Sequence, residues 1–276
     1  MKTFFIALFS LFSLSCSEMR KSGTQESKDQ IIVDEETENV LQQDDIMAVE
    51  TSVDAVDAWS EEVEILLPFP YRIYDCDPTE SIDSTWMELY VENDTFFIDN
   101  ADFSIIEGMD DCSGYPTKTI QTERNTLVFF NIPTLKAGRV NNIEVEQKRV
   151  WPNEQIQIVF DNTSYQLRAE GEVLSSETVV FSNEIGPEKW QEVADYRLFF
   201  SSGNGEELLL FDIPAFHYTF VELLFVGDID GDGKLDFIFS NPLHYEEKRV
   251  TLFLSTYTDQ DIGLRKVAEI AVGFDC

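Results

Sequence analysis

Residues 220–240 read FVELLFVGDIDGDGKLDFIFS, and their pattern decides the fold. Two short apolar runs, FVELLFV and LDFIFS, flank a loop in which Asp228, Asp230, Asp232 and Asp236 alternate with small or apolar residues. The second run alternates as a strand does, with a period of two. A short loop between two such runs predicts antiparallel neighbours, because parallel strands need a crossover of a dozen residues or more.

The same theme recurs from about Glu61 onward. TFFIDN and DFSII flank an Asp-Asn-containing turn, and TLVFFNI is a short apolar strand. In IQIVFDNTSYQLRAEG, Ile156, Ile158 and Phe160 alternate, Asp161-Asn162 turns, and Tyr165 and Leu167 return as the second arm of a hairpin. YRLFFSSGNGEELLLFDI reads as another hairpin through Gly203-Asn204-Gly205. RVTLFLS and KVAEIAVGF complete the chain, with Ala268, Ile270, Val272 and Phe274 on one face. A short helix is expected at Pro187–Ala194, where Pro opens the first turn and Trp190, Val193 and Ala194 share a side.

The predicted class is therefore mainly β: an antiparallel β-sandwich or partly open barrel with at most one or two short helices. No βαβ alternation is visible, which argues against a doubly wound or TIM-like sheet. No linker marks a boundary near Pro152, so residues 61–276 are read as one globular domain.

Composition narrows the partners. The formal net charge is −34, with a pI near 4.1. Neutralising nucleic-acid phosphates needs clustered Lys and Arg, and anionic lipid head groups would repel this surface. Hydrophobic residues make up 43% of the chain, enough for a sizeable core.

The first residues, MKTFFIALFSLFSLSC, place Lys2 before an apolar segment from Phe4 to Leu14 that is too short to span a bilayer. Ser13 and Ser15 are small residues at −3 and −1 from Cys16. This resembles a bacterial lipoprotein signal peptide over residues 1–15, which implies lipidation of Cys16 and a place in the cell envelope, on the outer membrane or cell surface. The same small residues permit ordinary secretory cleavage to a soluble product. Residues 16–60 are rich in acidic and polar residues and poor in large apolar ones, as in a flexible tether. A short helix near Asp45–Ala58 is compatible with the spacing of Ile46, Val49, Val53 and Val56.

Four cysteines are present: Cys16, Cys76, Cys112 and Cys276. An extracytoplasmic setting permits disulfides. With Cys16 lipidated, Cys76 and Cys112 are the preferred pair, since both lie in acidic, turn-rich surroundings; Cys276 is the alternative partner for either. No Cys-x-x-Cys occurs, which disfavours a zinc site.

The aspartate loop has the chemistry of a hard-cation site. With Asp228 as position one, Asp230, Asp232 and Asp236 fall at three, five and nine, Gly233 at six and Lys234 at seven, where only a backbone carbonyl is needed. Oxygen ligands in a flexible loop suit Ca²⁺ better than Mg²⁺. An EF-hand would carry a bidentate Glu at position twelve, which here is Phe239, and would be flanked by helices. The stretch is instead similar to the D-x-D-x-D-G-x-x-D calcium loop of integrin-type FG-GAP repeats, where the loop joins two strands. That resemblance covers about a dozen residues and implies a structural calcium ion held by Asp228, Asp230, Asp232, Lys234 and Asp236. A propeller would repeat the motif, and no second copy occurs; DQDIG at 259–263 lacks the alternating carboxylates.

No G-x-S-x-G or H-E-x-x-H motif is present. The acidic pairs Glu61-Glu62, Asp110-Asp111, Glu206-Glu207 and Glu246-Glu247 are what so acidic a chain contains by chance. His244 reads as an isolated loop histidine. The expectation is a non-catalytic, membrane-anchored envelope lipoprotein with a structural calcium loop and a protein or glycan partner. The alternatives are a glycan-directed secreted hydrolase with an unrecognised acidic site and a component of an envelope assembly.

Overall fold

The computed structural model describes residues 63–74, 76–179, 188–203, 206–255 and 263–274. The leader, the tether with Cys16, the helix near residues 45–58, the DQDIG segment except Gly263, and Cys276 lie outside the described residues.

Seventeen strands are described. The first nine are β1 (Ile65–Leu66), β2 (Pro70–Arg72), β3 (Met87–Glu92), β4 (Thr95–Asn100), β5 (Ser104–Met109), β6 (Pro116–Gln121), β7 (Asn125–Phe130), β8 (Gly138–Arg139) and β9 (Asn141–Asn142). The remainder are β10 (Gln155–Phe160), β11 (Thr163–Val179), β12 (Glu188–Ser202), β13 (Glu207–Ala215), β14 (Glu222–Asp228), β15 (Asp236–Ser240), β16 (Glu247–Leu254) and β17 (Arg265–Gly273). They form four antiparallel sheets: β1-β7-β3-β4-β8, β2-β6-β5, β10-β11-β12-β13 and β17-β16-β15-β14-β9. Among the described residues the fold is mainly β with no closed barrel, consistent with the sandwich expectation.

Local turn chemistry builds the hairpins. Asp161 and Asn162, at φ of 43° and 64°, join β10 to β11, as a two-residue hairpin turn with both residues left-handed requires. Asn93 and Asp94 do the same between β3 and β4. Ser201 pairs with Glu207 across the expected second hairpin, of which Asn204 and Gly205 lie outside the described residues.

The helix expected at Pro187–Ala194 is not formed over its described residues; Pro187 lies outside them. Residues 188–194 belong to β12 and pair with the distal half of the seventeen-residue β11, from Val179↔Glu188 to Glu172↔Ala194. The strand buries Val193, and Trp190 packs edge-on against Trp151 at 5.7 Å, so tertiary pairing overrides the helical spacing. The described helical turn lies instead at Pro78–Glu80, a 3₁₀ turn capped by the Asp77 side chain.

Two cores share one sheet. The first gathers Leu89, Phe129 and Phe130 from the β1-β7-β3-β4-β8 sheet against Ile238, Leu252, Leu254 and Ile270. The second gathers Tyr196, Leu198 and Phe200 from the β10-β11-β12-β13 sheet against Phe237, Phe239 and Phe253. The sheet β17-β16-β15-β14-β9 is therefore the middle layer, buried on both faces. Successive residues of β15 alternate between cores: Phe237 and Phe239 face one, Ile238 the other. A bulge at Leu224 lets Leu223 and Phe225, two residues apart, face opposite cores. Of the four residues read on one face of the last strand, Ala268, Ile270 and Val272 are buried, while Phe274 is exposed and meets Phe69 edge-on at 5.8 Å.

Candidate metal centre

The aspartate loop spans one end of the middle sheet. Asp228 closes β14 and Asp236 opens β15, where Gly227 pairs with Asp236. Both bends use left-handed glycine: Gly231 at φ 81° and Gly233 at φ 82°. Asp228 caps the loop from within, its Oδ1 accepting from the Gly231 amide at 2.7 Å and its Oδ2 from the Gly233 amide at 3.0 Å.

Asp228, Asp230 and Asp236 bring ligand oxygens within 4.8 Å of one another. A spread of this size could hold one metal ion between the three carboxylates. Asp232 lies beside this trio. Its Oδ1 accepts from the Lys234 amide at 2.8 Å and its Oδ2 lies 2.9 Å from Ser255 Oγ. Lys234 itself is exposed.

Asp236 is the unusual member, being fully buried. Its Oδ2 accepts from the Ile229 amide at 2.7 Å, and its Oδ1 from the Ser255 amide at 2.9 Å, with Ser255 Oγ at 3.1 Å. Burial, and then the negative charge of Asp230, push its carboxyl well above the usual carboxylate range, against the pull of the two amides. An anion so placed is costly, and either a proton or a cation relieves that cost. Ser255, just past the end of β16, was not singled out from the sequence; nothing local marks a serine nineteen residues beyond Asp236 as its partner.

Other expectations fall as follows. Cys76 and Cys112 are both disulfide-bonded. Their segments run side by side: the Ile73 amide donates to the Pro116 carbonyl at 2.8 Å, and the Tyr74 and Tyr115 rings meet at 4.5 Å. Three of the acidic pairs carry a member committed to an arginine: Asp110 to Arg72, Glu207 to Arg168 and Glu247 to Arg249. Glu61-Glu62 lies outside the described residues. A cavity of about 410 Å³ beside Trp151 contains Glu188 and Glu222, both bridged to Arg149 at 2.5 and 3.3 Å. His244, the lone histidine of its loop, packs its ring on that of His217 at 4.7 Å.

No protein-family model, curated protein or solved structure matches the chain.

Proposed function

We propose that this chain is a non-catalytic cell-envelope lipoprotein, anchored through Cys16, whose β domain is fastened by one structural Ca²⁺. Asp228, Asp230 and Asp236 would hold the ion, with Asp232 and the Lys234 carbonyl completing the oxygen shell. The observation that carries the metal reading is Asp236, a fully buried carboxylate that converges with two others at the junction of two strands. A cation there offsets the burial of charge and ties β14 to β15. The Cys76–Cys112 pairing belongs to the same extracytoplasmic reading.

Thermal unfolding of the purified protein in calcium and in chelator tests the metal. Calcium at a hundredfold excess over its dissociation constant stabilises a native state by about 2.7 kcal/mol, which is a shift of several degrees. An unchanged midpoint at millimolar calcium overturns the reading. Labelling with a fatty-acid probe tests the anchor, which predicts label in the parent and none in Cys16→Ala.

A further inference from the structure

At the end of the middle sheet opposite the aspartate loop, two loops meet: the one after β13 and the one between β15 and β16. Both histidines of the chain lie here, with rings parallel to within 8°. Tyr245 stacks on His244 at 4.4 Å, and Tyr218 meets His217 edge-on at 5.1 Å. Tyr218 is 80% exposed and Tyr245 51%.

The arrangement is fixed by the backbone rather than by a core. The His217 amide donates to the Leu243 carbonyl at 3.1 Å, Thr219 Oγ1 to the Pro242 carbonyl at 2.6 Å, and the Glu247 amide to the His244 carbonyl at 3.1 Å. The Leu243 amide donates to Glu247 Oε2 at 2.9 Å. Tyr218 is held at φ 58°, a left-handed conformation unfavourable for a bulky residue. Tyr218 and Tyr245 are thus held exposed to solvent, their rings inclined at 71° to one another, while the parallel rings of His217 and His244 cover each other.

The chemistry narrows the ligand. A transition metal is disfavoured: His244 Nδ1 accepts from the Glu246 amide at 3.2 Å, and parallel rings do not aim their in-plane lone pairs at one point. Among the described residues, the one convergent group of three metal-ligating side chains is the aspartate trio. A polyanion is disfavoured by Glu246 and Glu247 in the same loop and by the net charge of −34. Two exposed, inclined tyrosine rings, each apolar on its face and polar at its hydroxyl, match a sugar ring, whose C–H face stacks while its hydroxyls reach the rim.

We propose that His217, Tyr218, His244 and Tyr245 form a platform for an uncharged, pyranose-based oligosaccharide. This goes beyond the calcium-fastened lipoprotein proposed above and does not rest on it. The test is affinity electrophoresis of the purified protein in calcium, through gels containing hydroxyethyl cellulose, xyloglucan, galactomannan or starch, with pectin as the acidic polymer. At least one neutral polymer should retard the protein and pectin should not. Tyr218→Ala and Tyr245→Ala should each weaken retardation about tenfold, the loss of one stacking contact.

No retardation by any neutral polymer, or retardation that both variants retain, overturns the proposal. A second readout needs no variant. With only two histidines, the imidazole C–H signals of the parent protein are two resolvable sets, and both should shift as the retarding polymer's oligosaccharide is added. Unmoved signals overturn the proposal. The calcium shift and the fatty-acid label report on the metal and the anchor independently of this result.

Discussion

Ser255 offers both its amide and its hydroxyl to one oxygen of Asp236, at 2.9 and 3.1 Å. The contact joins the residue just past β16 to the start of β15, so the aspartate loop is braced by a third strand. Its hydroxyl also lies 2.9 Å from Asp232, and with one proton it serves one carboxylate at a time. Ser255→Ala keeps the amide bond and loses the hydroxyl. The expected cost is about 1 kcal/mol in urea unfolding, with the calcium shift retained.

Asp230→Ala and Asp232→Ala should behave differently. Asp230 belongs to the convergent trio and Asp232 stands beside it. Removing Asp230 should abolish the calcium-dependent rise in unfolding midpoint, while removing Asp232 should reduce it. Equal rises in the parent and in Asp230→Ala would place the ion elsewhere.

Gly227 admits no side chain. A Cβ there would lie 2.5 Å from the Asn141 carbonyl oxygen and 2.8 Å from Asn142 Cα, both backbone atoms of β9. Gly227→Ala must push β9 off the sheet edge. It should cost about 1–3 kcal/mol, the usual range for overpacking, measured by urea unfolding with calcium present.

Reduction of the disulfide should lower stability by about 3–4 kcal/mol if Cys76 and Cys112 close one loop. Non-reducing peptide mapping checks the pairing directly. A linked peptide containing Cys276 would refute it.

Asp110 sets a pH dependence. The Ser113 amide donates to its Oδ1 at 2.8 Å, and Arg72 Nε to its Oδ2 at 2.7 Å. These bonds, the Ser113 amide foremost, lower its carboxyl from the ordinary 3.8 to about 2. Because the folded value is the lower one, the stabilisation is complete above the unfolded value and is lost as pH falls through about 2. Asp110→Asn should flatten that part of the acid limb. A carboxyl NMR titration of the parent should show the displaced midpoint.

Much of the fold is legible in sequence where the determinants are local. Asp161-Asn162 specifies a hairpin because those residues tolerate left-handed backbone, and the close spacing of Asp228, Asp230 and Asp236 around two left-handed glycines brings those three carboxylates together. The rest depends on partners distant in the chain. Trp190, Val193 and Ala194 have helical spacing, but pairing with β11 decides their state. LDFIFS reads as a strand, but its sequence alone does not tell that both faces are covered, each by a different sheet. Ser255, His217 and Asn141 gain their roles only through neighbours tens of residues away, or nearly so, and no periodicity encodes such contacts.

The doubly covered middle layer also fixes when the molecule can become solid. Apart from Asn141–Asn142, that layer is made by residues from Glu222 onward. As the chain is synthesised from its N-terminus, the surfaces around Phe129 and around Phe200 are both finished early and both lack their cover. Neither hemisphere can close without the other's lid, because the lid is one and the same. Nascent or truncated forms ending before Glu222 would present two sticky faces at once, and completion of the last strands would seal both in a single step.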